Sequence, residues 1–200
     1  MKNVDYWKNK WLSRPQEPVN NFAVRAYKII KSKRLKTLLD LGCGDGRDSV
    51  YFFNKGLKVT AVDFSLSGIK KLKSQNPKIN CILADIRKMK LKANSFDVIY
   101  AHLSLHYFDD KTTNKIFNNL YHTLKKKGLI FIKCKSVDDT LFGEGEKISE
   151  NMYKKGHTRH FFSKEYMREK LKKFKVIKIS KTSSIYHNYK SAFIEAKATK

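Results

Sequence analysis

Between Thr37 and Cys134 short apolar runs alternate with stretches of helical periodicity, strand and helix five times over, and few folds accept that order. Thr37–Leu41, Lys58–Val62, Ile79–Leu83, Phe96–Ala101 and Leu129–Cys134 read as strands rich in aliphatic and β-branched side chains. Between them Ser49–Lys55 reads as a helix stopped by Gly56, and Leu66–Ser74 as one capped by Ser65. A third helix covers Lys111–Lys125, its Lys125-Lys126-Lys127 run lying where cations suit the carboxyl-terminal dipole. Strands joined through helices run parallel, and a parallel sheet needs both faces covered. The tail breaks the alternation: a helix at Lys164–Lys173 precedes two strands, Lys175–Ser180 and Tyr189–Ala196, with no helix between them. The expected fold is therefore α/β, a mostly parallel seven-stranded sheet with an antiparallel carboxyl-terminal edge pair and helices on both faces.

Ahead of the first strand, Val19–Lys33 sets Phe22, Ala26, Tyr27 and Ile30 on one face of an amphipathic helix. Asp5–Ser13 carries Tyr6, Trp7 and Trp11 at helical spacing. With no internal repeat, no Pro/Gly/Ser-rich linker and no low-complexity tract, residues 1–200 read as one domain.

The first strand runs straight into Asp40-Leu41-Gly42-Cys43-Gly44-Asp45-Gly46. Glycines at the carboxyl end of a first parallel strand let the backbone approach a ligand that a Cβ would exclude. A dinucleotide loop would read G-x-G-x-x-G; here the third glycine comes one residue early and Arg47 stands where the last small residue belongs. That departure argues against a nicotinamide oxidoreductase. The acid before the first glycine repels a phosphate and welcomes a cation.

This run resembles the D/E-x-G-x-G-x-G signature of the Rossmann-like S-adenosylmethionine-dependent methyltransferases, a resemblance that sets further expectations. It implies that Gly42, Gly44 and Gly46 pack against the methionine and ribose portions of S-adenosylmethionine, and that Asp40 positions the methionine end. Asp63, closing the second strand ahead of Phe64, is placed to accept from both ribose hydroxyls, as acids do in nucleotide folds generally. By the same resemblance Asp85 reads the adenine amino group while Ala84 and Ile86 cover the ring; the alternative is a loop carboxylate paired with Arg87 or Lys88. His102 would cover the cofactor, and Trp7 and Trp11 would fold over it as a lid. The chain then divides into a cover (1–33), a cofactor-binding core (37–135) and an acceptor side (136–200).

The acceptor is less legible. Phe96-Asp97-Val98-Ile99 resembles the common fourth strand of these enzymes, in which Asp97 supports structure. Neither the Pro-rich motif of amino-methylating nucleic-acid enzymes nor the Pro-Cys of cytosine C5 enzymes follows it. His102–Tyr107 instead resembles the His-containing loop of small-molecule methyltransferases, with His106 toward the acceptor. His102 and His106 are four apart but lack a third ligand, so no metal is expected. Lys155–Ser163 resembles the loop before the last helix in the tellurite-resistance TehB-type and thiopurine-type branch, as do Tyr6-Trp7 with Trp11 and Leu39–Ser49. The resemblance makes His157, Arg159 and His160 acceptor-site candidates, with His106, His157 or His160 serving as base for an alcohol or amine. The competing reading docks the final helix with His160-Phe161-Phe162 and pairs Arg159 with a surface acid. Glu144-Gly145-Glu146 reads as a mobile loop.

Composition bounds the partners. The formal charge is +25, yet only seven of the 43 cationic residues are arginine, so a lysine-covered solvated surface is favoured over a nucleic-acid reader. An RNA or protein methyltransferase, or a cofactor-binding protein without catalysis, stays as the alternative to a small-molecule methyltransferase. No apolar run is long enough to cross a bilayer and no secretory signal is evident, so the expected location is the cytoplasm. Cys43, Cys81 and Cys134 form no C-x-x-C pair and read as buried hydrophobes.

Overall fold

Every second residue of the central strands faces a different helical layer, and this alternation builds the molecule. In the computed structural model, which describes Trp7, Trp11, Pro15, 17–186 and 189–200, β1 is Thr37–Leu41, β2 Lys58–Asp63, β3 Asn80–Leu83, β4 Phe96–His102 and β5 Leu124–Lys135. Then come β6 (Glu146–Ser149), β7 (Met152–Lys155), β8 (His157–His160), β9 (Lys175–Tyr186) and β10 (Tyr189–Thr199). The helices are α1 (Asn21–Ser32), α2 (Arg47–Asn54), α3 (Leu66–Gln75), α4 (Asp110–Thr123) and α5 (Lys164–Lys170). One sheet runs β3-β2-β1-β4-β5-β10-β9, with the first five parallel and β10 antiparallel to both neighbours.

Leu39, Leu41, Ile99 and Ile130 point to one face, where Ile116, Phe117 and Leu120 of α4 and Met167 of α5 cover them. Leu38, Val59, Val98 and Phe131 point to the other, under Phe22 and Ile30 of α1, Phe52 of α2 and Leu72 of α3. A one-residue slip would exchange these sets, which fixes the register. The expected seven-stranded, mostly parallel sheet with its antiparallel edge pair is what the chain forms.

Three local expectations fail. α4 stops at Thr123, so the Lys125-Lys126-Lys127 run lies in β5 and not at a helix end, with Lys127 at φ 63°. Pairing of Leu124 with Phe96, and the 2.9 Å bond from Lys125 Nζ to Asp97 Oδ1, outweigh the small dipole gain. Glu144-Gly145-Glu146 is not a free loop: Glu146 opens β6 of a second, three-stranded sheet β6-β7-β8, and Lys155 and Lys154 pair with the two acids. α5 ends at Lys170, three residues early, with Leu171 turned into the core. Of the Asp5–Ser13 segment only Trp7 and Trp11 belong to the described residues; Tyr6 lies outside them.

Asp97 pins the start of β1. Its Oδ2 accepts from Thr37 N and Oγ1, each at 2.8 Å, and from Lys36 N at 3.1 Å. Burial pushes its carboxyl up, but these bonds and the Lys125 ammonium outweigh burial and hold the pKa at about 2. A depressed carboxylate stabilises the fold above its unfolded pKa of roughly 4 and loses that contribution as pH falls toward 2. Asp97→Asn is expected to lower the urea unfolding free energy at pH 7 by about 2 kcal/mol, with the gap to wild type shrinking below about pH 4.

Candidate functional site

At the carboxyl ends of β1, β2 and β4 the backbone turns away and leaves a cleft of about 1880 Å³. The turn after β1 is built from left-handed backbone: Gly42, Gly44 and Gly46 have φ of 72°, 60° and 86°. A Cβ on Gly42 would lie 2.3 Å from Ser104 Cβ, and one on Gly44 2.6 Å from the Trp11 ring. Gly42 N and Cys43 N donate to Val62 O, and Gly44 N donates to Asp63 Oδ2 at 2.8 Å. Asp63 Oδ1 takes Ser65 N at 2.8 Å, so one carboxylate holds the glycine turn and the loop before α3 together. Lys71 of α3 adds a 2.9 Å ion pair to Asp45.

Acids gather at this end. Asp40 sits on the α2 side of β1 and receives Ser49 Oγ at 2.6 Å. Burial, reinforced by the charges of Asp48 and Asp63, pushes its carboxyl up to about 7. Asp63 is raised as well by burial, against the opposing bonds from the Ser65, Gly44 and Phe64 amides. Asp48 accepts Tyr100 Oη at 3.0 Å and the Asn20 amide, and pairs with Arg47. Arg47 also reaches Glu17 at 3.0 Å and His102 Nδ1 at 3.4 Å. Burial pushes the Cys43 thiol well up, so it is no nucleophile.

The opposite end is built by β5, β8 and β10. Lys133 pairs with Glu195 at 3.1 Å, and Arg25 of α1 reaches the same carboxylate at 2.6 Å. Lys135 pairs with the buried Asp139 at 2.7 Å. Trp7 stacks on Trp11 at 5.9 Å and meets Tyr107 at 5.7 Å and His157 at 5.9 Å, so the N-terminal aromatics bridge glycine turn and β8. His106 is buried against Tyr107, and burial, with the Arg159, Lys135 and His157 charges, pushes its pKa well down. Burial likewise brings His102 to about 3, so both imidazoles are neutral at pH 7.

Most of the residues singled out in the sequence converge on this cleft. Trp7, Trp11, Asp40, Gly42, Gly44, Asp63, Phe64, Asp85, Ile86 and His102 line it, as do His106, His157 and Arg159. Gly46 does not; its missing Cβ makes room for Leu72 of α3. His160 does not either: its Nδ1 lies 3.2 Å from Phe108 O and its ring packs on Phe162 and Tyr166, the helix-docking alternative. Asp85 adopts the other alternative too, a fork with Arg87 at 2.6–3.0 Å. Glu17, Asn20, Lys133 and Glu195 escape sequence reading because the partners that bring them to the cleft lie far along the chain, and Lys135, paired locally with Asp139, lies in no motif.

Residues 38–128 match the methyltransferase domain family. The malonyl-[acyl-carrier protein] O-methyltransferase of Enterobacter lignolyticus is 26% identical over 136 residues, covering 68% of this chain and 53% of that protein. The chain spans between 38% and 53% of the length of three such bacterial relatives. Among solved structures, a SAM-dependent methyltransferase from Methanosarcina mazei superposes with a TM-score of 0.77 at 16% identity, over 92% of this chain and 99% of that one. TehB from Haemophilus influenzae gives 0.73 at 22% identity, over 98% and 66%. The fold is the Rossmann-like one of these solved methyltransferases, and the segment that matches the methyltransferase domain model is the one that carries the glycine turn, Asp63 and Asp85. Among the described residues no helix is long and apolar enough to cross a membrane.

The close approach at Gly42 separates two costs. Gly56→Ala, at φ 85° with nothing within 4 Å of the new Cβ, should cost about 1 kcal/mol of stability from backbone strain alone. Gly42→Ala adds overlap with Ser104 and should cost roughly 2–4 kcal/mol by urea unfolding.

Proposed function

We propose that this protein transfers a methyl group from S-adenosylmethionine to a small-molecule acceptor. The observation that supports it most is the grouping of Asp40 and Asp63 around a turn whose glycines leave no room for a Cβ. Two buried carboxyls with raised pKa values favour a cationic ligand over a pyrophosphate. When bound, the cofactor supplies the electrophilic methyl group, so the chain has only to bind, orient and exclude water. Asp63 offers lone pairs to ribose hydroxyls while keeping its bonds to the Gly44 and Ser65 amides. Asp40 faces the ammonium, Phe64 and Ile86 cover the base, and Asp85 turns from Arg87 to the adenine amino group. Trp7 and Trp11 close the cleft, a roof that suits a small acceptor better than a base carried on a polymer. In TehB-like fashion the acceptor is a thiol, metalloid oxyanion or similar small molecule.

Asp63→Ala should weaken S-adenosylhomocysteine by roughly two to four decades in calorimetry; a change below about threefold would show that Asp63 does not hold the ribose. The Asp40 carboxyl is pushed up to about 7, and a bound ammonium lowers its pKa, so cofactor binding near pH 7 should release a fraction of a proton. The observed heat should then vary with the ionisation enthalpy of the buffer, and this variation should vanish in Asp40→Asn. A methyl-transfer screen with labelled cofactor across thiols, metalloid oxyanions, amines and RNA tests the acceptor class; incorporation into RNA alone would overturn it.

A further inference from the structure

The cations of the cleft differ in what neutralises them. Lys133 has Glu195, Lys135 has Asp139, Arg47 has Asp48 and Glu17, and Arg87 has Asp85. Arg159 on β8 is half-buried in the cleft wall and, among the described residues, touches no carboxylate. Its Nη1 only grazes two backbone carbonyls, Lys155 O at 3.3 Å and His157 O at 3.5 Å. Beside it is a second unfinished group. His106, only 1% exposed, lines the same wall, and its Nδ1 has no hydrogen-bond partner among the described residues. A half-buried guanidinium without a counter-charge and a buried imidazole nitrogen without a partner each cost free energy, and one anion between them would relieve both.

We propose that Arg159 and His106 form the receptor for a carboxylate or similar oxyanion borne by the methyl acceptor, with Arg159 as counter-ion and His106 as a hydrogen-bond donor. This deepens the methyltransferase reading by naming the acceptor's charge, and the word acceptor rests on that reading; the anion site itself does not. The groups facing His106 favour the same ligand. Arg159 and His157 approach from β8 and Lys135 from β5, while Tyr107 covers the ring. An imidazole kept neutral by such neighbours retains one N–H and can donate it to an anion without itself becoming charged. Arg159 offers the planar fork that binds a carboxylate through two parallel bonds, which Lys at the same position cannot reproduce. Lys178 also lines the cleft, but it is exposed on β9, where water screens it.

Isothermal titration with malonate, its neutral isostere malonamide and inorganic phosphate, without cofactor, tests the site; S-adenosylhomocysteine is titrated into the same samples. Malonate should bind wild type and malonamide should not. Arg159→Gln should weaken malonate at least about tenfold, Arg159→Lys should recover part of the loss, and Lys178→Gln should change it less than about threefold. Phosphate binding more tightly than malonate would support the oxyanion site and assign it to inorganic oxyanions. Equal losses in Lys178→Gln and Arg159→Gln would overturn the proposal in favour of a diffuse field. So would undiminished malonate binding in Arg159→Gln, or no malonate heat at about 20 mM in a wild type that binds S-adenosylhomocysteine. Unchanged S-adenosylhomocysteine affinity in the variants shows that they are folded. Malonate binding in a protein that ignores S-adenosylhomocysteine would leave the anion site standing and sink the methyltransferase reading.

Discussion

The carboxylate of Asp63 holds the two loops of the cofactor end in place. β2 delivers it to the sheet edge, where one oxygen takes the Gly44 amide and the other the Ser65 amide. A glycine turn with three left-handed residues has many conformations of its own, and it needs an external acceptor to choose one. Val62 contributes two more bonds through its carbonyl, so the turn after β1 is shaped largely by β2. The parallel pairing of Leu41 with Val62 is therefore a requirement of the site as well as of the sheet.

A second consequence is electrical. The chain carries +25, yet the turn presents Asp40, Asp45, Asp48 and Asp63 within one stretch of sheet edge. The far end of the cleft presents Lys133, Lys135 and Arg159. A cleft with low-dielectric walls concentrates such fields, so two ligands of opposite charge are drawn to opposite ends of one cavity. Arg47 marks the boundary, forked onto Asp48 and touching His102 at the end of β4. The global charge is then a weak guide to the partner, because it sums the whole surface whereas the cleft keeps acids and bases at separate ends.

The sequence made the sheet legible because its strands alternate between two helical layers and its turns carry glycine. Asp40, Asp63 and Asp85 could be placed at the cleft because each lies at or just beside the carboxyl end of a recognisable strand, and position in a parallel sheet dictates what lies beyond a strand end. β6, by contrast, reads Glu-Lys-Ile-Ser and is exposed throughout, so it has no burial pattern to find. The lysine run after α4 departs from the helix-end expectation because the anchor of Lys125, Asp97, lies 28 residues away. The same holds for the network of Glu17, Asn20, Arg47, Asp48 and Tyr100, whose members come from three separate segments. Periodicity reports burial, whereas ion pairs between segments are set by tertiary distance. His160 shows the converse: chemistry suggested a site residue, and packing against Phe162 and Tyr166 accounts for it instead.

Crowding acids at the turn has a cost that argues for what the turn receives. Without a cation, Asp40 is disfavoured as a carboxylate by burial and by two like charges, and its proton is retained up to about pH 7. A group whose folded pKa is raised stabilises the fold fully below roughly pH 4 and loses that contribution as pH rises toward 7. As that proton leaves near neutral pH, the free chain takes on repulsion between Asp40 and its neighbours Asp48 and Asp63, which Arg47 opposes only in part. A ligand with fixed positive charge removes that repulsion when it binds, whereas a neutral nucleoside or a pyrophosphate leaves it or makes it worse. The turn is less stable alone than it is with such a ligand, and that difference is a source of affinity which needs no extra contact.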